Sequence, residues 1–343
     1  MANLRTFYAC QAVAIGAREP DGNGNYPSLT RPLNYIHGVQ SVGLNSTFDV
    51  ENVFELGQLE IYESVLNIPQ IEVTIEKVLD GYETPYYRIT DGDALALSSK
   101  YRADVQFNIF ADTGNAQNTT GVFNMLCTGM YVTNVTYTFP VDGNCTESIT
   151  LVGNSKQLGT GAMVGLPTGI TNGTGVPDNE PFYNYGGNAG SGQIIRRQDV
   201  TVTCSGANGS YSPRAQNVTL TLNLGREDVF EFGRRLPYAK LATYPIEVTA
   251  EIQSLLTDDN DDDAGFTEST VKLPIKDVKI LVQAGTGVAG TLTVDLGEKA
   301  YLSSVNQTGG DATGGNATIT RSFTTYNTFT VTGTSLDNTV GGA

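Results

Sequence analysis

A chain of 343 residues with 39% hydrophobic and 16% charged side chains can bury a core, and its length suits about two domains of ~150–170 residues. Its net charge of −16 divides into −11 over residues 1–195 (8 basic, 19 acidic) and −5 over 196–343 (12 basic, 17 acidic), which argues against a tight grip on nucleic acid, since that requires Lys and Arg on phosphates. The 39 Gly, with recurrent Thr, Val and Asn, favour strands and turns over helices, and the absence of Trp removes the usual stacking platform of carbohydrate enzymes.

Residues 1–37 mix Gly, Pro and Asn with short apolar pieces and are expected to form an N-terminal arm. The opening "MANLRTFYACQAVAIGAREP" lacks the longer Leu-rich core of a secretory signal, and no stretch approaches the ~20 apolar residues of a membrane span. "GVQSVGLNSTF", 38–48, alternates and predicts a first strand.

"VFELGQLEIYESVLNIPQIEVTIE", 53–76, then raises a question, because "VFEFGRRLPYAKLATYPIEVTAE", 229–251, repeats it. Val53, Phe54, Glu55, Gly57, Tyr62 and Pro69 match Val229, Phe230, Glu231, Gly233, Tyr238 and Pro245 at one offset of 176. One residue is then dropped, aligning Ile71-Glu72-Val73-Thr74 with Ile246-Glu247-Val248-Thr249. This is the signature of an internal duplication. In both copies the period is two. Ile71, Val73 and Ile75 oppose Glu72, Thr74 and Glu76, and Ile246, Val248 and Ala250 oppose Glu247, Thr249 and Glu251, as in a half-solvated antiparallel sheet. Recurrence of Gly at 57 and 233 implies positive φ or a close backbone approach.

"DGDALALSSK", 91–100, is the best helix candidate, with Asp91 or Asp93 as N-cap. Residues 101–112 and 130–153 read as strands, the latter a hairpin turned at Asp142-Gly143-Asn144. Residues 275–297 have the same strand–Gly-turn–strand form. Gly153, Lys156 and Leu158 beside Gly297, Lys299 and Leu302 weakly extend the duplication to these hairpins. The Gly/Asn/Pro-rich stretch 159–195 is expected as a linker or long loop between a first β domain, 38–158, and a second, 196–343. The predicted fold class is therefore mainly β, with two tandem homologous domains.

No constellation carries chemistry. Cys10, Cys127, Cys145 and Cys204 form no metal-ligand spacing with the sole histidine, His37, and are expected to be free, mostly buried thiols. A Ser-His-Asp triad would need His37 in a Gly/Pro-rich lead-in. Gly285 to Gly290 matches a dinucleotide fingerprint, but β-branched "TLTVDLG" follows where a helix is required. "DDNDDDAGFTE", 258–268, places Asp263 where a calcium loop needs Gly, so Asp258–Asp263 reads as a solvated acidic loop, with divalent-cation binding as the alternative. Nine Asn-x-Ser/Thr triplets, including Asn118, Asn134 and Asn217, are what this composition produces by itself. Catalytic, cofactor-binding and metal residues are each expected to be none, and the protein is expected not to be an enzyme.

The strings "DVFEFGRRLPYAKLATYPIEVTAEI" and "DLGEKAYLSSVNQTGGDATGGNATITRSFTTYN" resemble major tail tube proteins of tailed bacteriophages. That resemblance implies, for each domain, two packed antiparallel sheets (sandwich- or barrel-like) with a short flanking helix. It further implies rings stacked into a tube, contacts with other tail proteins, genome passage without tight binding, and a virion location. Rings of single-domain members are hexameric, so a duplicated chain implies homotrimeric rings of pseudo-sixfold symmetry. The polar faces Glu72, Thr74, Glu76 and Glu247, Thr249, Glu251 are candidates to line the lumen, with an outer or inter-ring position as the alternative. A secreted or cell-surface adhesion protein with tandem Ig-like domains, or a phage capsid decoration or baseplate protein, are the other readings.

Overall fold

The computed structural model describes residues 11–21, 26, 29–110, 121–160, 194–206, 209–211, 214–256, 277–285, 290–309 and 316–334. Expectations resting on Cys10, Asn118, most of 159–195, Asp258–Asp263 and the turn 286–289 lie outside them.

The first half runs β1 (Gln11–Arg18), β2 (Arg31–Tyr35), β3 (Val39–Thr47), β4 (Val50–Phe54), β5 (Ile61–Leu66), β6 (Gln70–Val78), α1 (Pro85–Thr90), α2 (Leu95–Ser98), β7 (Arg102–Phe110), β8 (Gly121–Pro140), β9 (Thr146–Gly153) and β10 (Ser155–Thr160). The second runs β11 (Val200–Gly206), β12 (Gly209–Tyr211), β13 (Ala215–Asn223), β14 (Arg226–Val229), β15 (Ala239–Ala242), β16 (Glu247–Leu255), β17 (Lys279–Ala284), β18 (Thr291–Asp295), β19 (Tyr301–Thr308), β20 (Thr318–Tyr326) and β21 (Thr330–Thr334). All the strand pairs among the described residues are antiparallel.

The pairing pattern occurs twice. In the first half β2-β1-β7-β8-β10 form one layer and β3-β6-β9-β8 the other, with β8 serving both. In the second, β12-β11-β17-β18-β21 and β13-β16-β20-β19 repeat those neighbours, with β18 and β19 together standing where β8 stands. The hairpin β4–β5 recurs as β14–β15 at the same offset, Val50 facing Leu66 and Arg226 facing Ala242. Irregularities recur too. The register shifts between Val39 and Ser41 and between Ala215 and Asn217, and again between Val132 and Asn134 and between Leu302 and Ser304.

These landmarks correct the sequence alignment of the repeat. The hydrogen bond from Asn67 N–H to Asp49 O corresponds to that from Thr243 N–H to Gly225 O, both 2.9 Å. Beyond it the second copy has gained a residue, not lost one: Ile71 faces Ser46, and the residue facing the equivalent Leu222 is Val248. Sliding the alignment by two residues leaves every side chain on the same face, so alternation alone does not reveal the error. The hairpin equivalence is corrected as well. β8–β9 corresponds to β19–β20, whereas 275–297 (β17–β18) corresponds to β7 and the first half of β8.

Two local expectations also change. Within the expected arm 1–37, Gln11–Arg18 and Arg31–Tyr35 are sheet strands, because Val13 and Ile15 are buried in the core between the layers. Asp91 closes a helix instead of opening one. Thr84 caps α1, its side chain accepting from Tyr87 N–H, with Pro85 in the first turn, and Asp91 ends it in the left-handed region at φ 54°. The predicted Ala-Leu run supplies only the single turn α2, entered from Ala94.

The inner faces share one core. Val13, Ile15 and Val105 pack with Ile71, Val73, Ile75, Ile149 and Leu151, and this continues through Val135 and Tyr137 to Leu220, Leu222, Val248, Ile252, Ile280 and Val294. The halves are thus fused, and the fusion is β8 pairing β13, from Asn134 opposite Asn223 to Pro140 opposite Asn217.

Candidate functional site

Because β8 pairs both β9 and β13, the strands β3-β6-β9-β8-β13-β16-β20-β19 make one continuous eight-stranded layer. Alternation gives it two unlike faces. Ile71, Val73, Ile75 and Val248, Ala250, Ile252 point into the core, and Glu72, Thr74, Glu76 and Glu247, Thr249, Glu251 lie on the opposite, solvated face. The six polar residues singled out in the sequence therefore share a surface. Between them the pairing places Ser148, Thr150, Thr136, Thr138, Thr219 and Thr221. Among the described residues of these strands this face carries Glu, Ser, Thr, Asn and Gln, with Tyr301 and Tyr326 toward the β19 edge, but no Lys or Arg; Lys77 and Arg321 are buried. Such a face repels phosphate and offers an anion no fixed grip.

Among the described residues the layer ends in two edges, β3 and β19. Each is the counterpart of a strand buried at the internal seam, β3 of β13 and β19 of the second half of β8. Edge exposure follows from that difference. Val218, Leu220 and Leu222 are buried in the seam, as are Val135 and Tyr137, whereas Val42, Leu44 and Val305 are only partly covered.

Two β-hairpins project from the layer. Gly57 and Gly233 sit at their turns with φ of 95° and 86°, as the recurrence of Gly implies. Nothing lies within 4 Å of the position a Cβ would take at either, so backbone conformation, not crowding, selects glycine. Every residue of β4 and β5 is exposed, and Phe54, Leu56, Leu59, Tyr62 and Leu66 together present an apolar surface. The second hairpin also exposes Phe230, Phe232 and Tyr238 but is better anchored. Arg226 donates to Val132 O (2.8 Å) and Ser99 O (2.7 Å) and lies 5.1 Å from the Tyr131 ring centre. Burial lowers its pKa to about 10, the neighbouring tyrosines pulling it back up. Arg235 at the hairpin tip donates to Leu66 O (3.3 Å), which sets the two hairpins side by side.

A cluster of titratable groups with shifted pKa lies inside the core. Lys77, fully buried, bonds Asp80 (2.5 Å) and His37 O (2.7 Å), and Glu147 stands opposite it across β6–β9. Glu147 accepts from Tyr86 N–H at 2.9 Å. Burial raises the Glu147 carboxyl, against the Thr84 and Tyr137 hydroxyls and the Tyr86 amide, and lowers Lys77, against Asp80. This arrangement braces α1 against the sheet from within. His37 stacks on Tyr82 with ring centres 4.3 Å apart. Cys127, Cys145 and Cys204 are free and buried, and burial pushes the first two to about 11 and the third to about 12. Among the described residues no group of three His, Cys, Asp or Glu is placed to hold a metal. No helix among the described residues is long and apolar enough to cross a membrane.

Sequence reading missed the edges and the seam. The signal was present upstream of the repeat: "VQSVGLNST" (39–47) and "AQNVTLTLN" (215–223) share Gln, Val and Leu at the offset of 176.

No family model and no curated protein matches this sequence. Among solved structures, the chain is similar to the anti-feeding prophage cap that terminates its tube, at 13% identity and a TM-score of 0.33, covering 47% of this chain and 94% of that one. It is also similar to a chain of the anti-feeding prophage baseplate, at 10% identity and a TM-score of 0.30, covering 47% and 98%. Likeness at this level decides nothing about function.

Proposed function

We propose that this chain is a non-catalytic structural subunit of a phage-type tail tube. Three copies close into a ring of six similar units, and rings stack into a conduit for DNA. The observation that carries the reading is the duplicated unit fused edge to edge, which leaves the counterparts of the fused strands as its two outer edges. A heterologous contact of this kind closes into a ring when the rotation permits. The sequence resemblance to major tail tube proteins supports the same reading. So does the cation-free face bearing Glu72, Glu76, Glu247 and Glu251, which suits a lumen that DNA crosses without binding. The exposed hairpins suit contacts to the next ring or to other tail proteins.

The test is mass photometry and negative-stain microscopy of purified protein, with a DNA mobility shift at physiological salt. The expected result is a species of three times 36.5 kDa, rings or tubes with a central channel, and no retarded DNA. Discrete monomers at all concentrations, or tight salt-sensitive DNA retention, would overturn the proposal.

A further inference from the structure

The ring reading leaves open how one copy grips the next, and the duplication supplies the answer at residue level. We infer, resting on that reading, that β3 of one copy pairs antiparallel with β19 of a second copy, with Thr47 opposite Ser304, Asn45 opposite Asn306 and Gly43 opposite Thr308.

The register follows from the internal seam. There Asn223 faces Asn134, Thr221 faces Thr136 and Thr219 faces Thr138. β13 maps onto β3 by subtracting 176, as the matched shifts at Val39/Ser41 and Ala215/Asn217 require. The second half of β8 maps onto β19 by adding 170, as the shifts at Val132/Asn134 and Leu302/Ser304 require. Applying both maps converts each internal pair into the interchain pair stated above.

Three observations favour a second copy of this chain as the occupant. Sheet edges that must stay unpaired usually carry Lys, other charges or Pro, and neither Val39–Thr47 nor Tyr301–Thr308 contains any. Val42 and Leu44 are partly exposed while their counterparts Val218 and Leu220 are buried, so the edge is apolar where a seam would cover it. The hairpin beside the internal seam is partly buried against the neighbouring unit, whereas its counterpart β4–β5 beside the β3 edge is wholly exposed, lacking only that neighbour.

The two seams are not equal. Tyr137, Phe139 and Leu222 of the internal seam correspond to Gln307, Gly309 and Ser46, and the anchoring Arg226 corresponds to Val50. The interchain seam keeps the backbone ladder and loses much of the apolar bulk beneath it.

The experiment places cysteines at Asn45→Cys and Asn306→Cys in one chain, with Asn45→Cys/Ser304→Cys and Asn45→Cys/Thr308→Cys as pairs slipped by two residues. Directly opposed positions fall within disulfide reach and diagonal ones beyond it. Under mild oxidation the first pair is expected to give covalent dimers and trimers on a non-reducing gel. Their yield should exceed either slipped pair by at least about tenfold. Hydrogen exchange on the unmodified chain provides a second readout, with assembly expected to protect amides in 42–47 and 304–308. Rings that crosslink through a slipped pair, or that protect other segments, would overturn the register while leaving the ring standing. Absence of any ring would overturn both.

Discussion

Leu220 and Leu44 occupy the same position in the two units, one inside a seam and one at an open edge, so truncating each separates folding from assembly. Leu220 is 0% exposed, and Leu220→Ala should cost the dilute chain about 3 kcal/mol, the scale of a buried Leu-to-Ala change with its residual cavity. Leu44 is only partly buried, so Leu44→Ala should cost the dilute chain about 1 kcal/mol, roughly half of full Leu burial. Closing a neighbour over Leu44 would bury the remainder. Each interchain seam should then lose about 1 kcal/mol more, near fivefold in association, and three seams together about 100-fold in the three-chain association constant, which raises the concentration threshold for rings about tenfold. Urea unfolding of dilute protein reads the first pair of numbers, and the concentration at which rings appear by mass photometry reads the last. Equal urea midpoints for the two variants would show that the β3 edge is already covered. An unchanged ring threshold in Leu44→Ala would show that this edge is not the seam.

Two further outcomes follow from the interior and the turns. Gly290→Ala should destabilise by about 3 kcal/mol or more, because φ is +93° and the new Cβ would collide with the Gly81 carbonyl oxygen. Gly233→Ala, at φ +86° with open space around it, should cost only about 1 kcal/mol; equal urea midpoints would refute the distinction. For Glu147, burial raises the folded pKa, so its contribution is fully present below the unfolded value near ~4.3 and is lost as pH rises through the folded one. Glu147→Gln should therefore gain on the parent chain as pH climbs across that window and hold a constant margin above it, whereas a margin independent of pH would refute this.

Much of this fold was legible because strand alternation is a local property. "IEVTIE" and "IEVTAE" lie on equivalent strands with their acids outward, and the glycines at 57 and 233 mark equivalent turns, as the residues imply. What failed had non-local causes. The two-residue slip at Ile71 and Val248 is invisible to a period-two pattern, and the cross-strand partners Ser46 and Leu222 resolve it only once the sheet is assembled. Asp91 looked like an opening cap, but Thr84-Pro85 begins a turn just upstream and a left-handed residue was needed to end it. The polar face was readable residue by residue. That it runs unbroken across both units depends on β8 pairing β13, two strands from different halves of the chain whose adjacency no local pattern records.

The internal seam has a kinetic meaning as well. Pairing β8 with β13 is a first-order event whose rate does not depend on protein concentration, because the linking chain supplies the effective concentration. A six-unit ring built from separate domains needs five bimolecular joins, each slowed by dilution, before it closes on itself; one built from this chain would need two. Under the proposed assembly its rate would scale with a lower power of concentration, and partly closed arcs with an odd number of units would not arise. Dilution would open the three weaker joins and return intact two-unit chains, ready to close again without refolding.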